Sequence, residues 1–176
     1  DMLPAQPRTL GLLLTEGFSL MSYASIVEPF RAANDLAGEQ LYRWRHIAVE
    51  GEAITASNGA TILAHATVKT APACDTVFVF AGGDPTRFKH AGALAWLRKL
   101  ARENVQLAGV SGGPYLLAKA GVLAGHRCTI HWEHAPALMD AFPDLIVEDA
   151  LYVIDRRRMT CAGGVAGLDL ALDLIE

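Results

Sequence analysis

Apolar positions along the chain alternate between two periods, and the switches between them mark out its elements. Residues 10–14 form a continuous apolar run closed by Thr15-Glu16-Gly17, the pattern of a strand buried on both faces of a parallel sheet. From Ser22 to Ala37, Ile26, Val27, Phe30, Ala33 and Leu36 recur at helical spacing, and Gly38 is a stop signal. Pro29 inside that stretch predicts either a kink or a later helix start. Residues 42–49 read as a second strand, and residues 51–67 carry the turn residues and β-formers of a short hairpin-like excursion. Thr76 to Ala81, TVFVFA, is the clearest strand, ended by Gly82-Gly83-Asp84-Pro85. Ala91 to Arg102 sets Leu94, Leu97 and Leu100 on one face of an amphipathic helix.

A buried strand at residues 105–110 then runs into Ser111-Gly112-Gly113, and Pro114 opens a helix over residues 115–120. A loop at 121–125, a short strand at 127–130 and a helix at 135–142 stopped by Pro143 follow. Residues 151–155 and 159–162 flank Arg156-Arg157-Arg158 as a hairpin, and residues 165–175 form a closing helix. Strands and helices alternate, so the class is α/β: a three-layer, flavodoxin-like sandwich with a mostly parallel sheet and helices on both faces. Ligands in such folds bind beyond the carboxyl ends of the strands. Three polar or Gly-rich turns fall there: Glu16-Gly17, Gly82-Gly83 and Ser111-Gly112-Gly113.

Gly109-Val110-Ser111-Gly112-Gly113 fits G-x-S-x-G, in which small neighbours let a strained turn lift one side chain above the strand ends. Amides at the start of the following helix favour an oxyanion, carboxylate or phosphate over Ser111. To act as a nucleophile Ser111 needs a base and an orienting acid. His131, in CTIHWEH, is the nearest candidate base, with a structural bracing role as the alternative; Asp84, Glu28 and Asp169 are open candidates for the acid. Trp132 beside Glu133 offers an indole face and a carboxylate to a cation, or else simple packing. Cys128, His131 and His134 lack the second half of a zinc site, so no metal is expected. The arginine triplet reads as a solvated turn, with phosphate contact as its alternative.

Composition narrows this further. The 176 residues amount to one domain, residues 1–176, 52% hydrophobic, with formal net charge -4. This charge lacks the basic footprint of a nucleic-acid-binding surface. Cys74, Cys128 and Cys161 are an odd, widely spaced set that fits a reducing compartment, so the cytoplasm is the default. No run approaches a membrane span, and DMLPAQPRT lacks a signal-peptide core and reads as a flexible lead-in. The last stretch has no helix-terminating signal, as expected of a domain excised from a longer chain.

With GFSL, FAGG, the elbow, TIHW and TCAGGVAGLDLALDLI in this order, the chain resembles the ThiJ/PfpI type of the class-I glutamine-amidotransferase-like superfamily. Within it, the chain is most similar to the amino-terminal domain of GlxA-type regulators of the AraC family, from about Leu10 to Glu176. Enzymatic members carry a cysteine at the elbow and an acidic side chain near the start of the first helix. Here those positions hold Ser111 and Ser22, which removes what makes a low-pKa thiolate. His131 matches a histidine the superfamily often places near the elbow.

The resemblance implies an effector-sensing, dimerising domain without turnover and without a cofactor, its DNA-binding helix-turn-helix lying beyond residue 176. The strings GVSGGPYLLA and CTIHWEH look similar to members that sense betaine, carnitine or arginine. The implied ligand-binding residues are Ser111, Gly112, Gly82, Gly83, His131, Trp132, Glu133 and Glu28. The rival readings are a ThiJ/PfpI-like amidase or hydratase, with Ser111 as nucleophile and His131 as base, and, more remotely, a serine hydrolase of the α/β-hydrolase type.

Overall fold

Where apolar runs are unbroken the chain enters the middle of a sheet, and where they recur at helical spacing it lies across one. The computed structural model describes residues 5–175, as β1 (Arg8–Leu14), α1 (Leu20–Ala37), β2 (Tyr42–Ala48), β3 (Ala53–Thr55), β4 (Thr61–Leu63), β5 (Ala66–Thr67), β6 (Thr76–Ala81), α2 (Ala91–Arg102), β7 (Gln106–Ser111) and α3 (Gly113–Lys119), followed by β8 (Arg127–Cys128), α4 (Ala135–Ala141), β9 (Ile146–Val147), β10 (Tyr152–Asp155), β11 (Arg158–Cys161) and α5 (Ala166–Ile175). Residues 1–4 of the expected lead-in and Glu176 lie outside the described residues, while Arg8 and Thr9 already belong to β1.

Seven strands form one sheet in the order β10-β11-β7-β6-β1-β2-β5, parallel throughout except for β10, which pairs antiparallel with β11 at the edge. The alternation of side chains along each strand builds two cores. Leu12, Leu14, Phe78, Phe80 and Val110 face α1 and α5, where Ile26, Phe30 and Leu170 meet them. Leu13, Val77, Val79 and Leu107 face α2 and α3, against Leu97, Leu116 and Leu117. This is the three-layer α/β arrangement expected from the pattern.

Three expectations need correction. The first helix begins at Leu20, capped by Ser19, whose hydroxyl accepts from the Ser22 amide at 3.2 Å, and it runs through Pro29 without a late start. Pro29 is buried, and packing offsets the missing backbone donor. The strand expected at 127–130 shortens to β8, which pairs with β9 in a separate two-stranded sheet. Residues 129–131 instead follow the elbow, with the Thr129 amide donating to Thr160 Oγ1 at 2.8 Å and the His131 amide to Ser111 O at 3.1 Å. The excursion at 51–67 splits into the antiparallel β3–β4 hairpin and a short parallel edge strand, β5.

Candidate functional site

The three Gly-rich turns at the carboxyl ends of β1, β6 and β7 lie directly against one another. A Cβ on Gly82 would stand 2.1 Å from Gly17 O, and one on Gly112 would stand 2.9 Å from Ala81 O, so only glycine permits these approaches. The Gly112 amide donates to Ala81 O at 3.0 Å, closing the elbow onto the neighbouring strand end. That amide is thereby withdrawn from any ligand.

Ser111 holds φ at +61°, a left-handed conformation that costs a residue with a side chain on the order of 1–3 kcal/mol unless its surroundings fix it. The surroundings here are glycines. Gly113 lies so close to β6 that a Cβ would meet Val79 O at 1.9 Å, and Gly163 lies over Ser111 with φ +86°. A Cβ on Gly163 would fall 2.7 Å from Ser111 Cβ and 2.9 Å from its Oγ. Under this roof Ser111 is 9% exposed.

The next residue, Gly164, donates its amide to Ser22 Oγ at 2.9 Å. Ser22, in the first turn of α1, is 1% exposed and carries a neutral hydroxyl. Its hydroxyl latches the roof of the elbow to α1. The TCAGGVAG run holds Gly163 and Gly164 without marking them as the elbow's cover by chemistry; a double glycine one residue after a strand is the signal that could have found them.

His131 meets the elbow through its backbone, while its ring caps the following 3-10 turn, Nδ1 accepting from the Glu133 amide at 3.2 Å. Among the described residues no imidazole is hydrogen-bonded to Ser111 Oγ. The His131 ring stacks on Trp132, 5.7 Å between centroids. His134 completes the turn, and burial followed by repulsion from His131 holds its pKa below the ordinary histidine value. The thiol next to the elbow is Cys161, whose pKa burial pushes up to about 11, so it supplies no thiolate at neutral pH. Asp84 caps the short 3-10 turn after Gly83, and its hydrogen bonds from Thr86 lower its pKa.

Two hollows lie near the elbow, and Ser111, Gly112 and His131 line neither. One, of about 330 Å³, is lined by Thr15, Glu16, Gly82, Asp84 and Arg87 among others. The other, of about 610 Å³, lies between Ile130, Trp132, Met139, Asp149 and Leu151. Trp132 is 75% exposed and presents its ring there. Gly82, Gly83, Ser111, Gly112 and His131 are thus contiguous, with Trp132 and Glu133 leading outward from them. Glu28 is not part of this group. It lies more than two turns along α1 from its start, exposed and ion-paired with Arg31. Asp169, on α5, is likewise exposed. Among the described residues no group of three His, Cys, Asp or Glu side chains is placed to hold a metal ion, and no helix is long and apolar enough to cross a membrane.

Against known proteins, residues 9–176 match the model of the DJ-1/PfpI family. The chain is 45% identical over 162 residues to the HTH-type transcriptional regulator GlxA of Rhizobium meliloti, covering 92% of this chain and 50% of that protein. It is 40% identical over 169 residues to the HTH-type transcriptional regulator GbdR of Pseudomonas aeruginosa, covering 96% and 46%. The chain therefore spans about half the length of these curated relatives. The crystal structure of an AraC family transcriptional regulator from Pseudomonas putida superposes with a TM-score of 0.83 at 24% identity, over 96% of this chain and 91% of that one. That likeness establishes the flavodoxin-like fold. On the family match, the relatives and the glycine-built elbow together, the chain belongs to the DJ-1/PfpI family.

Proposed function

We propose that this chain is the effector-sensing and dimerisation domain of an AraC-type transcriptional regulator, which binds a small nitrogenous metabolite without turning it over. DNA contact would fall to a helix-turn-helix module outside these residues, and the setting would be the cytoplasm. The observation that carries the reading is the covered elbow. Ser111 sits under Gly163, with neutral Ser22 in the acid's place and the His131 ring engaged in its own turn. A serine hydroxyl without a base is a poor nucleophile, whereas a rigid turn with hollows nearby serves recognition.

The larger hollow suits a ligand with a cationic head. The Trp132 face attracts a quaternary or guanidinium nitrogen, and Asp149 in the same lining supplies the countercharge. A betaine, carnitine or a basic amino acid fits this chemistry. The regulator relatives support the assignment to a regulator, independently of the ligand. A second reading keeps one observation in its favour: the strained φ of Ser111 is the geometry of a nucleophile elbow, as an amidase or hydratase would need.

A thermal-shift screen against glycine betaine, carnitine and arginine, with mass spectrometry of the compound afterwards, separates the two. A bound effector at a hundredfold excess over Kd adds about 2.7 kcal/mol, or roughly 5–10 °C for a domain of this size. A shift with the compound recovered intact supports the sensor. Consumption of the compound, abolished by Ser111→Ala, overturns it in favour of the enzyme.

A further inference from the structure

The end of the molecule opposite the elbow carries a second hollow of different chemistry. β7 and β11 run parallel, with Arg158 registered on Leu107 and Cys161 on Val110, so Arg158 marks the amino ends of the strands and Ser111 their carboxyl ends. At that amino end a cleft of about 390 Å³ is lined by Arg98 and Arg102 from the last two turns of α2, His126, and Arg158, with Gly121 and Val122 between them. Four cationic or protonatable side chains converge from three parts of the chain.

Three neighbouring charges are matched, and these are not. Lys99 pairs with Glu103 at 3.7 Å, Arg127 with Glu148 at 3.1 Å and Arg156 with Asp155 at 3.1 Å. Among the described residues Arg98, Arg102 and Arg158 have no carboxylate partner. The carboxyl ends of α2 and α3 also lie here, and each brings about half a negative charge. Two such ends offset about one of the three guanidinium groups. The excess stands out in a chain whose formal net charge is -4.

Arg158 is pre-positioned. Its Nε donates to Val122 O at 2.7 Å and its NH1 to Arg157 O at 3.1 Å, which fixes the plane of the guanidinium. Burial lowers the pKa of His126, against the raising effect of its hydrogen bond to Asp155, with Arg156 and Arg158 lowering it further; burial and then Arg156 lower that of Arg158. Arg156 keeps this turn at φ +58°, a conformation in which glycine is the ordinary residue. Three unpaired guanidinium groups, one of them fixed, match the oxygens of a phosphate better than a single carboxylate.

We propose that the cleft between the carboxyl end of α2 and the β10–β11 turn binds phosphate, held by Arg98, Arg102 and Arg158. Two sources share that chemistry: a free di- or polyphosphate compound and the phosphates of a nucleic-acid backbone.

Inorganic pyrophosphate and a short mixed-sequence DNA duplex, each titrated into the chain and into R98Q/R102Q, test the proposal. Both substituted side chains are exposed, so the fold should survive, and circular dichroism checks that it does. K69Q/K89Q, at exposed lysines elsewhere, makes the same change in net charge. The expected result is a Kd raised about tenfold or more by R98Q/R102Q and less than about twofold by K69Q/K89Q. Pyrophosphate binding alone identifies a free phosphate compound. Duplex binding whose salt slope falls by about two in R98Q/R102Q identifies the backbone. Absence of binding to both probes, or equal losses in the two double variants, overturns the site.

Discussion

Gly163 carries more of the elbow than its size suggests. It covers the Ser111 side chain, and both its φ of +86° and the 2.7 Å at which an added Cβ would meet Ser111 Cβ exclude a side chain. Gly163→Ala should destabilise the chain by about 2–4 kcal/mol, the combined cost of a left-handed alanine and a backbone displaced from the serine. Gly38→Ala provides the comparison. Its φ of +68° caps α1, but open space surrounds it, so the loss there should be about 1 kcal/mol. Urea midpoints of the two variants read the difference, and equal losses would show that Gly163 matters only for its backbone angle.

At the scale of elements, the β10–β11 hairpin is held by one carboxylate. Asp155 accepts the Arg127 amide at 2.8 Å and Arg156 Nε at 3.1 Å, and with these donors its pKa falls to about 2. A carboxyl whose folded pKa lies below its unfolded value of about 3.9 stabilises the fold fully above that value and loses the effect as pH falls toward about 2. The stability difference between the native chain and Asp155→Asn should therefore be constant from neutrality to about pH 4 and shrink below it. Urea titrations at a series of pH values measure it; a difference that persists undiminished to the lowest pH would assign the effect to packing.

Elements with a strong pattern were legible in the sequence, and those made by distant partners were not. TVFVFA and the leucine face of α2 occupy the residues predicted for them because local period and burial agree there. Residues 127–130, RCTI, read as strand but pair for only two residues, because the amides of Thr129 and His131 are taken by Thr160 and Ser111. At the site, the glycines and Ser111 were visible as strand-end turns. Glu28 was placed there by its charge alone, and helical geometry carries it away along α1 to Arg31. The roof over Ser111 could not be read, since it depends on contact between segments far apart in the chain.

As a whole the molecule has two cores on the two faces of a single sheet, and the strands β1, β6 and β7 contribute side chains to both. Loosening either face should therefore melt both together. Phe30→Ala on one side should cost about 3–5 kcal/mol and Leu97→Ala on the other about 2–5 kcal/mol. In each variant, far-UV circular dichroism and tryptophan fluorescence should give superimposable transitions, with Trp96 reporting from α2 and Trp44 from β2. Separate midpoints for the two probes would show that the faces unfold independently.

The bond from Gly164 to Ser22 joins residues 142 positions apart. A ribosome making this chain releases α1 well before β11, the double glycine and α5, which bring further partners of its buried face and the cover of Ser111 more than a hundred residues later. Until then Ile26 and Phe30 have only the sheet to shelter them, and Gly167, which packs against Ile26, has not been made. Closures of such long sequence separation are slow and leave apolar surface exposed while they wait. The elbow is thus the last part of the domain to be finished, and a nascent chain stopped before residue 163 would display an uncovered serine turn and a helix prone to aggregation.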